Sequence, residues 1–344
     1  MKGDKMFNVM VNGAGNIGTT LTNVLLRYRE ALGIDDVYLC KNQPKPWLEE
    51  DLEIAERNGA IICTSDAGSE YPHLSAIGHN LHFVFECGRD GSSSKNLPMY
   101  LSLPNLVGVC AQGSERKFGP QFMAGVNPKT AIGEKFVHVA SCNTHGCVAI
   151  LQTFAGADLA NLEKADFVVV RRSEDLSRHE RLVGANVIAR HTDPVVGTHH
   201  ATDIIDLFGT VGARPQVVTS DITTPSQLTH SVRFNLALIN QVTKSELEDR
   251  IDSNEFLAVT EKFDSNLVFE VGRRYGFQGR IYSHAIVVAN NMIVNGRNVT
   301  GWCFVPQEGC TILSSVQAFL LQRGDKQYEK GWSEVKNGLL RTSR

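Results

Sequence analysis

Apolar residues fall in two rhythms along this chain, and the change between them comes near residue 140. Up to there, short, mostly apolar runs alternate with stretches long enough for a crossover: Phe7 to Val11, Val37 to Cys40, Ala60 to Cys63, Leu81 to Glu86, Leu106 to Cys110 and Phe136 to Ala140. Strands that alternate with helical or loop segments imply a doubly wound parallel α/β sheet for the first part. A helical pattern from Thr19 to Leu32 follows the first run. Beyond residue 140 the runs alternate apolar with polar: Ala165 to Val170 ending in Arg171-Arg172, Ala185 to Arg190, Gln216 to Ile222, His230 to Leu238, Arg280 to Val288 and Met292 to Val299. A period of two predicts a largely antiparallel sheet with one wet or interface face, hence an α+β unit. Glu246 to Phe256 reads as an amphipathic surface helix. Thr311 to Arg323 carries Ile312, Leu313, Val316, Phe319 and Leu320 at helical spacing and is expected to return to the first sheet. The expected organisation is one domain over 1–140 with a C-terminal helix, 310–344, packed back on it, and a second domain over 141–309.

The turn after the first run sharpens this picture. Asn12-Gly13-Ala14-Gly15-Asn16-Ile17-Gly18 sits between a strand and a helix, and Gly13, Gly15 and Gly18 have the GxGxxG spacing of a Rossmann-type dinucleotide fold. Glycines let the backbone turn tightly against a pyrophosphate whose charge the helix N-terminus stabilises. A tight turn with no ligand is the plainer alternative. Ligands of such sheets lie at the carboxyl ends of the strands. That draws Cys87 to Gly91, Gln112-Gly113-Ser114 and the segment around residue 142 towards a cofactor, although each also reads as a polar loop.

Composition narrows the function classes. With 34 Lys and Arg against 37 Asp and Glu in 344 residues, the net charge of −3 gives no reason to expect nucleic acid or an anionic membrane as partner. No apolar run approaches the roughly 20 residues of a membrane span, and no signal-peptide core follows Met1, so a cytoplasmic protein is expected. The eight cysteines are scattered, without a CxxC pair, so neither a zinc site nor a disulfide framework is suggested.

One cysteine stands apart. Ser141-Cys142-Asn143-Thr144-His145-Gly146 follows the run ending at Ala140 and reads as a strand opening into the first turn of a helix. Unpaired backbone N–H groups and the positive end of the helix dipole stabilise a thiolate there, with Ser141, Asn143 and Thr144 as donors around it. A small buried cysteine is the alternative. His199-His200 follows a loop signal and precedes a helix with Asp203 and Asp206; adjacent histidines are expected to face different ways, so no metal site is expected. His230 opens an alternating strand after Thr223-Thr224-Pro225-Ser226-Gln227-Leu228-Thr229.

Taken in order, Asn-Gly-Ala-Gly-Asn-Ile-Gly, Gln112-Gly113, Ser-Cys-Asn-Thr, Val-Val-Val-Arg-Arg, Thr-His-His and Pro-Ser-Gln-Leu-Thr-His resemble the archaeal-type glyceraldehyde-3-phosphate dehydrogenases, from Val9 to about Val305. The resemblance implies a nucleotide-binding domain, a catalytic domain and a homotetramer. It also implies reversible phosphorylating oxidation of glyceraldehyde 3-phosphate to 1,3-bisphosphoglycerate, in glycolysis or gluconeogenesis. Position by position, it makes Cys142 the nucleophile and His230 the base. Arg171, His199 and His200 come near the substrate phosphate, and Arg172, Gln112 and Gln307 near the nicotinamide cofactor. Three departures stand out: His145 replaces a second threonine, the segment after Lys41 is shorter, and Ser173-Glu174-Asp175 follows the paired arginines. A related Cys-dependent semialdehyde dehydrogenase and a catalytically silent nucleotide-binding regulator are the rival readings. As to NAD or NADP, the second strand is followed by Lys41-Asn42-Gln43-Pro44-Lys45, with no acid until Glu49 to repel a 2′-phosphate. Lys41 is therefore expected to tolerate or favour NADP.

Overall fold

The computed structural model describes residues 6–42, 48–89, 91–113, 115, 117–172, 187–225, 228–324 and 328–341. Contacts divide the chain into two units: Met1–Ala124 with Pro128–Val139 and Ser314–Gly338, and Gly125–Asn127 with Ala140–Leu313 and Leu339–Arg344.

The first unit is built on β1 (Phe7–Asn12), β2 (Ile34–Cys40), β3 (Ile61–Cys63), β4 (Phe83–Glu86), β5 (Gly108–Ala111), β6 (Gln121–Phe122) and β7 (Phe136–Val139). They pair in parallel in the order β3-β2-β1-β4-β5-β7-β6. The connections include α1 (Asn16–Arg27), α2 (Glu49–Arg57), α3 (Leu74–Ile77) and α4 (Ser92–Ser102). Winding runs outward one way through β2 and β3 and the other way from β4, so a crevice opens at the carboxyl ends of β1 and β4. Both sheet faces are covered, which is why the strands are mostly apolar. Met10, Val84 and Val109 join Tyr100 of α4 in one cluster. On α9 (Gln307–Gln322), Phe319 stacks edge-on against Phe83, with ring centroids 4.9 Å apart. The amide of Gln322 donates to the carbonyls of Glu134 and Lys135 at 3.1 and 3.2 Å. α9 begins four residues before the expected helix and is buried on nearly every side, not along a stripe. In α10 (Tyr328–Leu339), Gly338 leaves room for the Tyr28 hydroxyl.

α1 starts and ends earlier than Thr19 to Leu32. Its first turn is the glycine motif itself, and Leu32 is buried by the turn that follows the helix, so the apolar spacing overran the helical end.

The second unit carries β8 (Leu162–Arg172), β9 (Ile188–Arg190), β10 (Val217–Thr224), β11 (His230–Leu238), β12 (Leu257–Thr260), β13 (Ala285–Val288), β14 (Ile293–Asn295) and β15 (Asn298–Val305). Their order is β12-β13-β15-β11-β8-β10-β9, with β14 on β15. The pairs β8–β10 and β12–β13 are parallel and the others antiparallel, so the sheet is mixed but largely antiparallel. β11 alternates buried with half-buried along its whole length, and its buried Phe234 meets Phe154 of α5 (Cys142–Ala155) at 5.5 Å between rings. The remaining helices are α6 (His199–Gly209), α7 (Lys244–Ser253) and α8 (Ser265–Tyr275).

Three expectations are corrected here. The run Met292 to Val299 is a hairpin that turns at Gly296, and its second strand, β15, continues to Val305. Gly301 hid that strand by breaking its apolar pattern; a Cβ there would come 2.4 Å from the Phe234 ring. Of Arg280 to Val288 only Ala285 onward is a strand, because Arg280 and Tyr282 make isolated bridges to Phe277 and Leu340. The helix expected from Glu246 begins at Lys244, where Thr243 and Glu246 cap each other reciprocally. Gln43 to Lys45, Asp90, Ser114, Ser173-Glu174-Asp175, Ala185, Ser226 and Gln227 lie outside the described residues.

Candidate active site

In the first unit, Gly13, Gly15, Asn16, Ile17, Gly18, Lys41, Gln112 and Gly113 all follow the carboxyl ends of β1, β2 and β5. Gly13 has φ +119°, and a Cβ on it would lie 2.7 Å from the Cys87 carbonyl oxygen; one on Gly18 would strike the Gly13 carbonyl. Only glycine fits either position. Gly15 at the N-cap of α1 brings no side chain over the helix's first N–H groups. This cradle, at the switch point of a parallel sheet, suits a pyrophosphate. Lys41 follows β2 directly, its N–H bonded to the Cys63 carbonyl at 2.9 Å, while Asp35 and Asp36 lie at the strand's other end. Gln112 is buried and its amide is held by the Ser315 hydroxyl.

In the second unit, Cys142 is the first residue of α5. Ser141 is its N-cap and accepts the Thr144 N–H at 3.4 Å. Asn143 and Thr144 are buried; Cys142 is half-exposed. Four residues on, and so on the same helix face, Gly146 is pressed against Val305: a Cβ would come 2.5 Å from its Cγ2. Val305 is the register partner of His230. The turn carrying Cys142 is thereby seated over the end of β11 where His230 stands. His230 is buried, and its Nδ1 accepts the N–H of Arg172 at 3.2 Å. A neutral ring bonded this way carries its proton on Nε2 and presents a donor there. Arg172 also donates to the Leu228 carbonyl at 3.3 Å. It lines one hollow of this unit together with Thr229, Arg280 and Gln307, the first residue of α9.

All eight cysteines are free thiols. Burial pushes Cys110 and Cys303 up to about 12 and raises Cys147 and Cys310 as well. Cys63 is raised first by its contact with Cys40 and then by burial. Cys87 is half-buried as a residue, but desolvation and then the Glu86 carboxylate raise its thiol. These settings keep thiols protonated and unreactive, unlike a half-exposed position in the first turn of a helix.

A second cluster lies on α6. The helix begins at His199 itself, and the expectation that adjacent histidines diverge is corrected: their rings are 3.9 Å apart, and both converge with Asp203. The first turn of a helix, with its 100° step, brings the two neighbours together where an extended loop would not. His200 is 2 % exposed. Asp221 of β10 lies 3.7 Å from His200 Nε2 and accepts from Arg171 at 3.3 Å. Burial first, then the neighbouring His199, holds His200 well below the usual histidine range. The sequence reading missed Asp221, whose signal was an acid in the buried phase of an alternating strand, Val217, Thr219, Asp221.

No protein-family profile matches the chain. Individual curated proteins do. A glyceraldehyde-3-phosphate dehydrogenase of Saccharolobus solfataricus is 22 % identical over 339 residues, covering 91 % of this chain and 92 % of that protein. One of Saccharolobus islandicus is 23 % identical over 330 residues, with the same coverage. One of Sulfolobus acidocaldarius is 25 % identical over 203 residues, 57 % of each chain. The chain is similar to archaeal glyceraldehyde-3-phosphate dehydrogenases.

His145, where the sequence departs from the glyceraldehyde-3-phosphate dehydrogenase pattern, is fully buried under the turn that carries Cys142. Its Nδ1–H donates to the Ser141 carbonyl at 2.9 Å, and its ring lies 5.0 Å from that of His284, which stacks on Phe256. It braces the N-cap from within. Burial lowers its pKa from 6.5 to about 4. Between those values the unfolded chain binds a proton there that the folded chain does not, so stability falls as pH drops through that window. The contribution is on the order of 3 kcal/mol. Urea unfolding at pH 7 and pH 4.5 should show a smaller acid loss in His145→Gln than in the native protein. Equal losses would assign the acid sensitivity elsewhere.

Proposed function

We propose that the chain is a phosphorylating glyceraldehyde-3-phosphate dehydrogenase that works through a thioester on Cys142, with NADP or NAD. The observation that carries this reading is Cys142 in the first turn of α5, seated over the end of β11 that holds His230. Similarity to dehydrogenases of that name over 91 % of the chain supports it.

The Cys142 thiolate adds to the aldehyde carbon, forming the C–S bond while the carbonyl pair moves onto oxygen. His230 Nε2–H and the Asn143 amide donate to this oxyanion, with Ser141 and Thr144 keeping the turn in place. A bound nicotinamide supplies the hydride acceptor. The oxygen pair re-forms the carbonyl as the hydride departs, leaving an acyl group on Sγ. Inorganic phosphate then displaces the thiolate, and the acyl phosphate leaves. Arg171, His199 and His200 are the groups proposed for the substrate phosphate, and Arg172, Gln112 and Gln307 those for the nicotinamide end. The half-exposed face of β8, β10, β11 and β15 is the surface proposed for a homotetramer contact. Turnover of glyceraldehyde 3-phosphate against a set of semialdehydes, with and without phosphate, tests the reading. A semialdehyde preference, or rates indifferent to phosphate, would overturn it.

Cofactor choice gives a second test. In the sequence no acid follows β2 before Glu49, and Lys41 comes directly after the strand. Lys41→Asp is expected to cut kcat/KM for NADP roughly tenfold or more while sparing NAD, since a charge-assisted contact is replaced by repulsion. A native preference for NAD that the substitution leaves unchanged would remove Lys41 from the cofactor site.

A further inference from the structure

We propose that His199, His200 and Asp203 form a binding site for one divalent transition-metal ion, of the zinc or cobalt class, with Asp221 as its outer partner. The three residues share the first turn and a half of α6, His199 and Asp203 at i and i+4 and His200 one step behind, so all three side chains cover one patch. Their ligand atoms lie within 4.8 Å of one another. Donors about 2.1 Å from a common ion stand roughly 3.4 Å apart, so small side-chain rotations close the set.

The second observation is His200 itself. It is 2 % exposed, and among the described residues neither ring nitrogen has a hydrogen-bond partner. A buried polar ring left this way costs free energy that metal ligation would recover. Its Nε2 faces Asp221 Oδ1 at 3.7 Å, the carboxylate–histidine arrangement that orients a metal ligand. The local charge agrees. Asp203 and Asp221 bring two carboxylates, and among the described residues the Arg171 guanidinium stands 3.3 Å from Asp221. The positive end of α6 opposes a cation, but two carboxylates within a few ångströms outweigh a half-charge. Two imidazoles and a carboxylate select zinc, cobalt or nickel over magnesium or calcium. His199 is exposed, so a fourth position opens to water or an oxyanion.

The loop before α6 is rigid enough to hold the set. Gly197 has φ +89° and lies against the Thr219 carbonyl, and the Thr198 and Thr219 hydroxyls are 2.6 Å apart. The site shares His199 and His200 with the substrate-phosphate contact proposed above, so an ion held there would meet that phosphate at its open position; metal binding is measured without substrate, so either reading can fail alone. Chelator-stripped protein is titrated with zinc and with cobalt, and retained metal is counted after gel filtration. The expected result is one ion per chain, with visible cobalt absorption, in the native protein and in Cys142→Ala alike. His200→Ala and the near-isosteric Asp203→Asn should each weaken it tenfold or more, and Asp203→Asn keeps the test decisive should His200→Ala not fold. No retained metal, metal lost with Cys142, or affinity unchanged by Asp203→Asn would each overturn the site.

Discussion

Replacing Cys142 by alanine is expected to abolish aldehyde oxidation, by more than about 10⁴-fold, with cofactor binding unchanged. Without the sulfur there is no covalent intermediate, and loss of a catalytic nucleophile removes the reaction path itself. The structure makes the assignment selective. Six of the other seven thiols are buried and the seventh, Cys87, is raised by desolvation and by Glu86, whereas Cys142 is half-exposed at the start of α5. The cofactor cradle belongs to the other unit, so binding of NADP followed by fluorescence serves as a fold check. Turnover persisting in Cys142→Ala would end the thioester mechanism.

His230→Asn is expected to lower kcat about 10² to 10³-fold with little change in KM, the usual effect of removing an oxyanion donor. The resemblance casts His230 as the base. Its hydrogen bond from the Arg172 N–H leaves the proton of a neutral ring on Nε2, which favours a donor role. The two roles separate in His230→Gln, whose amide N–H reaches about as far as Nε2. A donor role predicts that glutamine keeps more activity than asparagine; a base role predicts that both fail alike. His199→Asn should chiefly raise KM. A change in kcat at His199, with KM altered only at His230, would reverse the assignment.

Short, mostly apolar runs spaced by crossover-length segments, against runs that alternate apolar with polar, were enough, read along the sequence, to separate a parallel sheet from a largely antiparallel one, because strand spacing and burial on one face are written directly into the sequence pattern. The glycine turn and the place of Cys142 at a strand-to-helix junction were legible for the same local reason: steric limits and helix ends act over a few residues. Tertiary structure decided what depends on distant neighbours. Gly301 interrupts the apolar pattern of β15 because the Phe234 ring fills the space beside it. His200 looked like a loop imidazole until α6 began at His199 and β10 brought Asp221 against it. The tautomer of His230 is set by a backbone N–H 58 positions away in the chain. Burial and hydrogen-bond partners of this kind belong to the packed sheet and helices, and no local stretch of sequence holds them.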